Sequence, residues 1–146
     1  MKGLRDVIVA LLVVTAGCSG YRPPVYTPQA YPIHRQFSQL SFDWKLSRES
    51  GAIHLEGFVR NINYERFRDL VLTVSALDAK GRTVGEATWL FPKVLIAIGD
   101  AVPFTLNIPV AVGSMPATLL FVSRYRPNDR EAVETVDSQS FTYALP

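Results

Sequence analysis

The sequence predicts an all-β chain: an immunoglobulin-like antiparallel β-sandwich of about seven strands, preceded by a signal peptide and a Pro-rich tether. Three observations predict it. Apolar and polar residues alternate at period two from Phe37 onward, Gly, Pro and Asp punctuate that alternation at regular spacing, and helical periodicity is missing after the N-terminal apolar run. The chain has 146 residues and 48% hydrophobic content, enough for one sizeable core and too little for two. With 15 basic and 13 acidic residues it lacks the strongly basic stripe of a nucleic-acid binder. A single cysteine excludes a disulfide framework and multi-thiolate zinc sites.

Residues 1 to 17 read as a signal peptide. Lys2 and Arg5 form a basic start, Val7 to Val14 is an uninterrupted apolar run, and Thr15, Ala16 and Gly17 are small. That run is shorter than the ~20 residues needed to cross a bilayer as a permanent helix. Thr15-Ala16-Gly17-Cys18 resembles the bacterial lipobox. The resemblance implies cleavage between Gly17 and Cys18 and diacylglycerol attachment to the Cys18 thiol. Acyl chains anchor at about 0.8 kcal/mol per buried CH₂, so a multiply acylated cysteine holds firmly to a membrane without spanning it. Ser19 stands where an aspartate resembles an inner-membrane retention signal, which favours the outer membrane over the inner one.

Residues 18 to 36 read as the tether, since Pro23, Pro24, Pro28 and Pro32 fall inside it. Proline at that density favours polyproline II, and at ~3.1 Å per residue the segment would reach roughly 50 Å. Tyr21, Tyr26 and Tyr31 recur every five residues, as a docking surface or as tyrosines tolerated near a membrane.

The sandwich is expected over residues 37 to 146. Leu40, Phe42, Trp44 and Leu46 share one face of a first strand, with Ser41, Asp43 and Lys45 opposite. In the second, Ile53, Leu55, Gly57 and Val59 oppose His54, Glu56 and Arg60. In the third, from about Phe67 to Leu77, both faces are apolar enough to make it central. Asp78-Ala79-Lys80-Gly81 supplies turn chemistry, with a capping aspartate and a glycine free to take positive φ, and predicts a hairpin with a fourth strand from Arg82 to Phe91. Further strands are expected at Ala101 to Val110, Thr118 to Arg126 and Asp137 to Leu145, with Pro109, Pro116 and Pro127 at their ends.

The runs Leu55 to Asn61, Leu72 to Gly85 and Ile98 to Phe104 resemble the bacterial FxLyD-type domains, with Asp78 and its glycine turn the clearest shared elements. Val74, Ala76 and Leu77 replace that family's phenylalanine, leucine and tyrosine. The resemblance implies an immunoglobulin-like sandwich in an envelope lipoprotein and transfers no catalytic residue.

Catalytic constellations are sparse, and the sequence reads as a non-enzyme that needs no cofactor. His54 and Glu56 leave one strand face together, as two metal ligands would, but a third ligand has to come from a carboxylate such as Asp43. A solvated face with cross-strand polar pairs accounts for the same residues, and no metal is expected. His34 lies in the tether, so a Ser/His/Asp arrangement would have only His54 to draw on.

Partner recognition is expected at the sandwich end that gathers loops 61 to 66, 92 to 100 and 127 to 136, where the tether also enters. Tyr64, Arg66 and Arg68 have the composition of an interface anchor, beside Asp129, Glu131 and Glu134. Leu95-Ile96-Ala97-Ile98 reads as a core plug or an exposed apolar contact. The expected role is a membrane-anchored interaction or assembly module facing the periplasm, with an envelope protein or the cell-wall polymer as partner. The alternative is a periplasmic carrier of a small ligand or metal.

Overall fold

The computed structural model describes residues 25–91, 95–128 and 135–146. Among these, eight strands form two antiparallel four-stranded sheets packed face to face: β1 (Ile33–Gln36), β2 (Leu40–Glu49), β3 (Ala52–Asn61), β4 (Phe67–Asp78), β5 (Thr83–Leu90), β6 (Ala101–Pro109), β7 (Pro116–Pro127) and β8 (Asp137–Ala144). The first sheet has the order β1-β2-β3-β6 and the second β5-β4-β7-β8. The protein is an immunoglobulin-like β-sandwich. The chain crosses from the first sheet to the second between β3 and β4, returns at β6, and crosses again into β7.

The alternation read from sequence sets the inner faces. Leu40, Phe42 and Trp44 on β2, Ile53, Leu55 and Val59 on β3, and Val102, Phe104, Leu106 and Ile108 on β6 are all buried. Leu72, Val74 and Ala76 on β4 and Leu119 and Phe121 on β7 answer them from the second sheet. Aromatic rings lock the two layers together. Trp44 meets Phe121 at 5.1 Å and Tyr143 at 5.6 Å between ring centres, and Phe121 stacks on Phe141 at 4.6 Å. Gly57 faces Trp44 and Phe104 from the middle of β3, where a Cβ would lie 2.7 Å from the Trp44 Cβ and 2.9 Å from the Phe104 ring.

The third predicted strand, β4, is central, paired with β5 on one side and β7 on the other. Its turn into β5 follows the expected chemistry. Gly81 takes φ +76°, the Gly81 amide donates to the Asp78 carbonyl at 2.9 Å, and the Asp78 carboxylate accepts from the Lys80 and Arg82 amides at 2.9 Å each. A feature outside the period-two pattern lies at the start of β4. Asp69 takes φ +55°, and the pairing with β7 shifts register between Arg68 and Val71. The resulting bulge puts Phe67 and Leu70 on the same inner face although they are three residues apart.

The N-terminal boundary needs correcting. Residues 33–36, assigned above to the tether, form β1 and pair with β2 in the register Ile33↔Trp44 to Gln36↔Ser41. Upstream, Tyr31 is buried, and Tyr26 and Tyr31 pack edge-on against Phe58 at 5.1 and 5.3 Å between ring centres. Phe58 is the cause, because it sits on the outer face of β3 and its apolar ring needs a cover that solvent does not provide. The sandwich therefore includes residues upstream of 37, and the strands number eight rather than the expected seven, the short β1 being added at the edge of the first sheet.

Candidate functional site

The loop-rich end of the sandwich is built on Asn61. This last residue of β3 is fully buried, and its backbone is tied to the 95–100 segment: its amide donates to the Asp100 carbonyl at 3.0 Å and its carbonyl accepts from the Gly99 amide at 2.8 Å. Its side-chain Nδ2 donates to the Glu65 carbonyl at 2.9 Å and the Ile96 carbonyl at 3.2 Å, while Oδ1 accepts from the Asn63 amide at 2.9 Å. Two loops that are distant in sequence thereby share one buried amide. Sequence reasoning gave Asn61 no role beyond marking a loop. An amide ending an apolar strand was the available signal, since such side chains satisfy the backbone of a following turn.

From that base Tyr64 projects into solvent, 91% exposed, with its amide held by Asn63 Oδ1 at 2.7 Å. Arg66 and Arg68 are exposed on the descending arm of the same loop and the start of β4. The Arg66 carbonyl accepts from the Asn128 amide at 2.8 Å, which ties the β7 end to the cluster. Arg68 pairs in register with Arg126, whose Nη1 lies 3.8 Å from the Asp69 carboxylate. The structure thus brings the three predicted residues to one end, in a frame fixed by backbone hydrogen bonds rather than by their own side chains. Ile96 is fully buried and bridges Phe67, so it acts as the core plug, while Ile98 two residues on is 53% exposed at the same end. Asp129, Glu131 and Glu134 lie outside the described residues, as do Gly17, Cys18 and Tyr21.

Tyr125 closes the floor of this end, buried and in contact with Phe67 at 4.8 Å between ring centres. Burial, followed by the negative charges of Asp137 and Glu65, pushes its hydroxyl up to about 12, so it stays protonated throughout the physiological range.

The outer face of the first sheet carries the residues considered for metal binding. His54 and Glu56 do share that face, in register with Ser47 and Lys45 across β2. Each candidate already has a partner. His54 Nε2 lies 3.2 Å from Glu49, Glu56 lies 3.3 Å from Lys45 Nζ and accepts from the Tyr31 hydroxyl at 3.4 Å, and Asp43 accepts from the Tyr26 hydroxyl at 2.6 Å and meets His34 Nδ1 at 2.5 Å. Lys45 stands in the row between Asp43 and His54, and its ammonium is paired with Glu56. Among the described residues no group of three or more His, Cys, Asp or Glu side chains could hold a metal ion. Burial, then the hydrogen bond to Asp43, raises the Tyr26 hydroxyl to about 12, and burial also raises that of Tyr31. Both rings are therefore neutral hydrogen-bond donors that clasp the N-terminal segment to the sheet.

No family model matches the chain, and no curated relative matches it significantly. Solved structures do. The GAE domain of GGA2p from Saccharomyces cerevisiae aligns with 77% of this chain and 94% of its own at 18% identity and a TM-score of 0.49. A β-glucuronidase from glycoside hydrolase family 2 aligns with 68% of this chain and 11% of its own at 13% identity and a TM-score of 0.38. Among the described residues no helix is long and apolar enough to cross a membrane.

Proposed function

We propose that this chain is a lipid-anchored lipoprotein of the cell envelope, held through Cys18 with the outer membrane favoured over the inner, that presents its β-sandwich to the periplasm as an interaction or assembly module. The observation that carries the reading is the apolar run closed by Thr15-Ala16-Gly17-Cys18, which supplies a thiol for lipid attachment at the end of a cleavable signal. The loop end supports it. Tyr64, Arg66 and Arg68 project from a frame pinned by Asn61, and a rigid frame lowers the ordering cost of binding. The partner is an envelope protein or the cell-wall polymer. A carrier role draws no support from the sandwich interior, where Phe42, Trp44, Phe104 and Phe121 fill the space between the sheets.

The docking of residues 25–36 on the first sheet, as a strap over Phe58 that ends in β1, changes the distance at which the module works. Cys18 and Val25 are seven residues apart, and seven extended residues reach at most roughly 25 Å. At equal extension the domain therefore reaches at most about two fifths as far from the lipid as a tether running to residue 36 would allow.

In-cell cross-linking of the native protein, read by mass spectrometry, tests the proposal alongside Cys18→Ala. The mature protein is expected to carry acyl mass on Cys18, and a reproducible partner is expected to disappear in the variant and in a Tyr64→Ala, Arg66→Ala pair. An unmodified Cys18 sinks the anchor, and a partner indifferent to both changes sinks the assembly role.

A further inference from the structure

Each sheet has two edge strands, and three of the four are guarded against further pairing. β1 is four residues long and follows Pro32. β6 carries Pro103 and Pro109. The Val84 carbonyl of β5 is taken by the Ala111 amide at 2.8 Å, and the β5 backbone at Gly85 runs against the Pro109 carbonyl of β6. β8 has none of these devices. It runs eight residues, Asp-Ser-Gln-Ser-Phe-Thr-Tyr-Ala, with no proline, no lysine or arginine and no register shift against β7, and among the described residues no strand pairs with its outer side. Long, regular edges free of proline and lysine are the ones that accept another strand.

The pairing pattern says which groups are free. The Leu145 amide donates to the Ala117 carbonyl at 2.9 Å, so odd-numbered positions bond to β7 and Ser138, Ser140, Thr142 and Ala144 turn their N–H and C=O outward. The inward side chains Phe141, Tyr143 and Leu145 are only half buried, and Phe37 packs beside Phe141 at 5.0 Å between ring centres along the same open seam. An apolar seam beside a free ladder rewards closure.

We propose that two copies of this chain pair antiparallel through the outer edges of β8, about a two-fold axis at Phe141, joining two four-stranded sheets into one of eight strands. The strand is complementary to itself in this register. Directly opposite residues share a face, so Ser140 meets Thr142 of the second copy, hydroxyl to hydroxyl, and Ser138 meets its Ala144, which matches small side chains on the outer surface. The inner face sets Gln139 against Tyr143 of the second copy and Phe141 against its own counterpart. Asp137, the one charge on β8, comes beside Leu145 of the second copy, so antiparallel addition keeps the two Asp137 carboxylates at opposite ends of the joined strands. The proposal does not depend on lipidation.

Sedimentation velocity of the full-length chain in detergent, at micromolar concentration, tests it. The native chain is expected to sediment as a dimer and the Ser140→Pro variant as a monomer with the same circular dichroism, because that amide bonds nothing within its own sheet. Thr142→Lys supplies a second route, placing a charge on the edge with β7–β8 pairing intact. A Ser140→Cys, Thr142→Cys variant is expected to form a dimer linked through these positions in the same detergent under mild oxidation. A native monomer, a dimer that survives Ser140→Pro and Thr142→Lys, or cysteines that capture a different protein instead of a second copy would each overturn it.

Discussion

Asp78 shows how much one side chain organises in this chain. Its carboxylate accepts from two backbone amides and from the Arg82 guanidinium, through Nε at 2.8 Å and Nη2 at 2.7 Å. The backbone bond from Arg82, then its side-chain bond, hold the Asp78 carboxyl below the ordinary carboxylate range. A depressed native pKa stabilises the fold above the unfolded value, and that contribution disappears as pH falls through the native one. Asp78→Ala is therefore expected to lower the melting temperature at neutral pH, with the gap to the native chain closing in acid. Melting curves from pH 7 down to pH 2 check it, and a gap that stays constant would count against the turn argument. Asp78 was legible in the sequence because a turn's chemistry is local. Asn61 was not, because two of its acceptors lie on segments 4 and 35 residues away.

Among the elements, β3 is the one whose two faces do different work. Its inner face carries Gly57 between Trp44 and Phe104, where any Cβ would also meet the Asp43 carbonyl of the neighbouring strand. Backbone cannot yield as a flexible side chain does, so Gly57→Ala is expected to destabilise the sandwich by ~3 kcal/mol, read from the midpoint of denaturant unfolding. A loss under about 0.5 kcal/mol would mean that the sheets reopen freely at this point. Period-two alternation assigned Gly57 to the inner face, yet the reason for glycine there is tertiary. β4 teaches the complementary lesson. Its alternation from Leu70 onward was legible, whereas the Asp69 bulge that also brings Phe67 inward follows from pairing with β7, which the strand's own residues do not encode.

At the scale of the whole molecule, the strap of residues 25–36 decides where the domain begins. It covers Phe58 with two tyrosine rings, supplies a hydroxyl to Asp43 and to Glu56, and adds β1 to the sheet. Burial of a phenylalanine is worth about 1.5–3 kcal/mol. A chain beginning at residue 37 is therefore expected to be less stable than one beginning at residue 25 by at least ~2 kcal/mol, measured by urea unfolding of both. Equal stability would return residues 25–36 to the tether. Proline content pointed to an extended segment, and extended is what an edge strand and its approach require; composition does not say whether such a segment lies in water or on a sheet.

By itself the sequence determined the all-β class, the inner faces of the strands, the β4–β5 hairpin and the gathering of Tyr64, Arg66 and Arg68 at one end, because period-two alternation and turn chemistry act between near neighbours. Tertiary structure alone decided the strand order, the bulge at Asp69, the docking of Tyr26 and Tyr31 on Phe58, the sharing of Asn61 between two loops and the unguarded edge of β8. Each of these depends on which distant segments become neighbours. That choice is made by the packing of whole faces against one another, and no window of the sequence contains both partners.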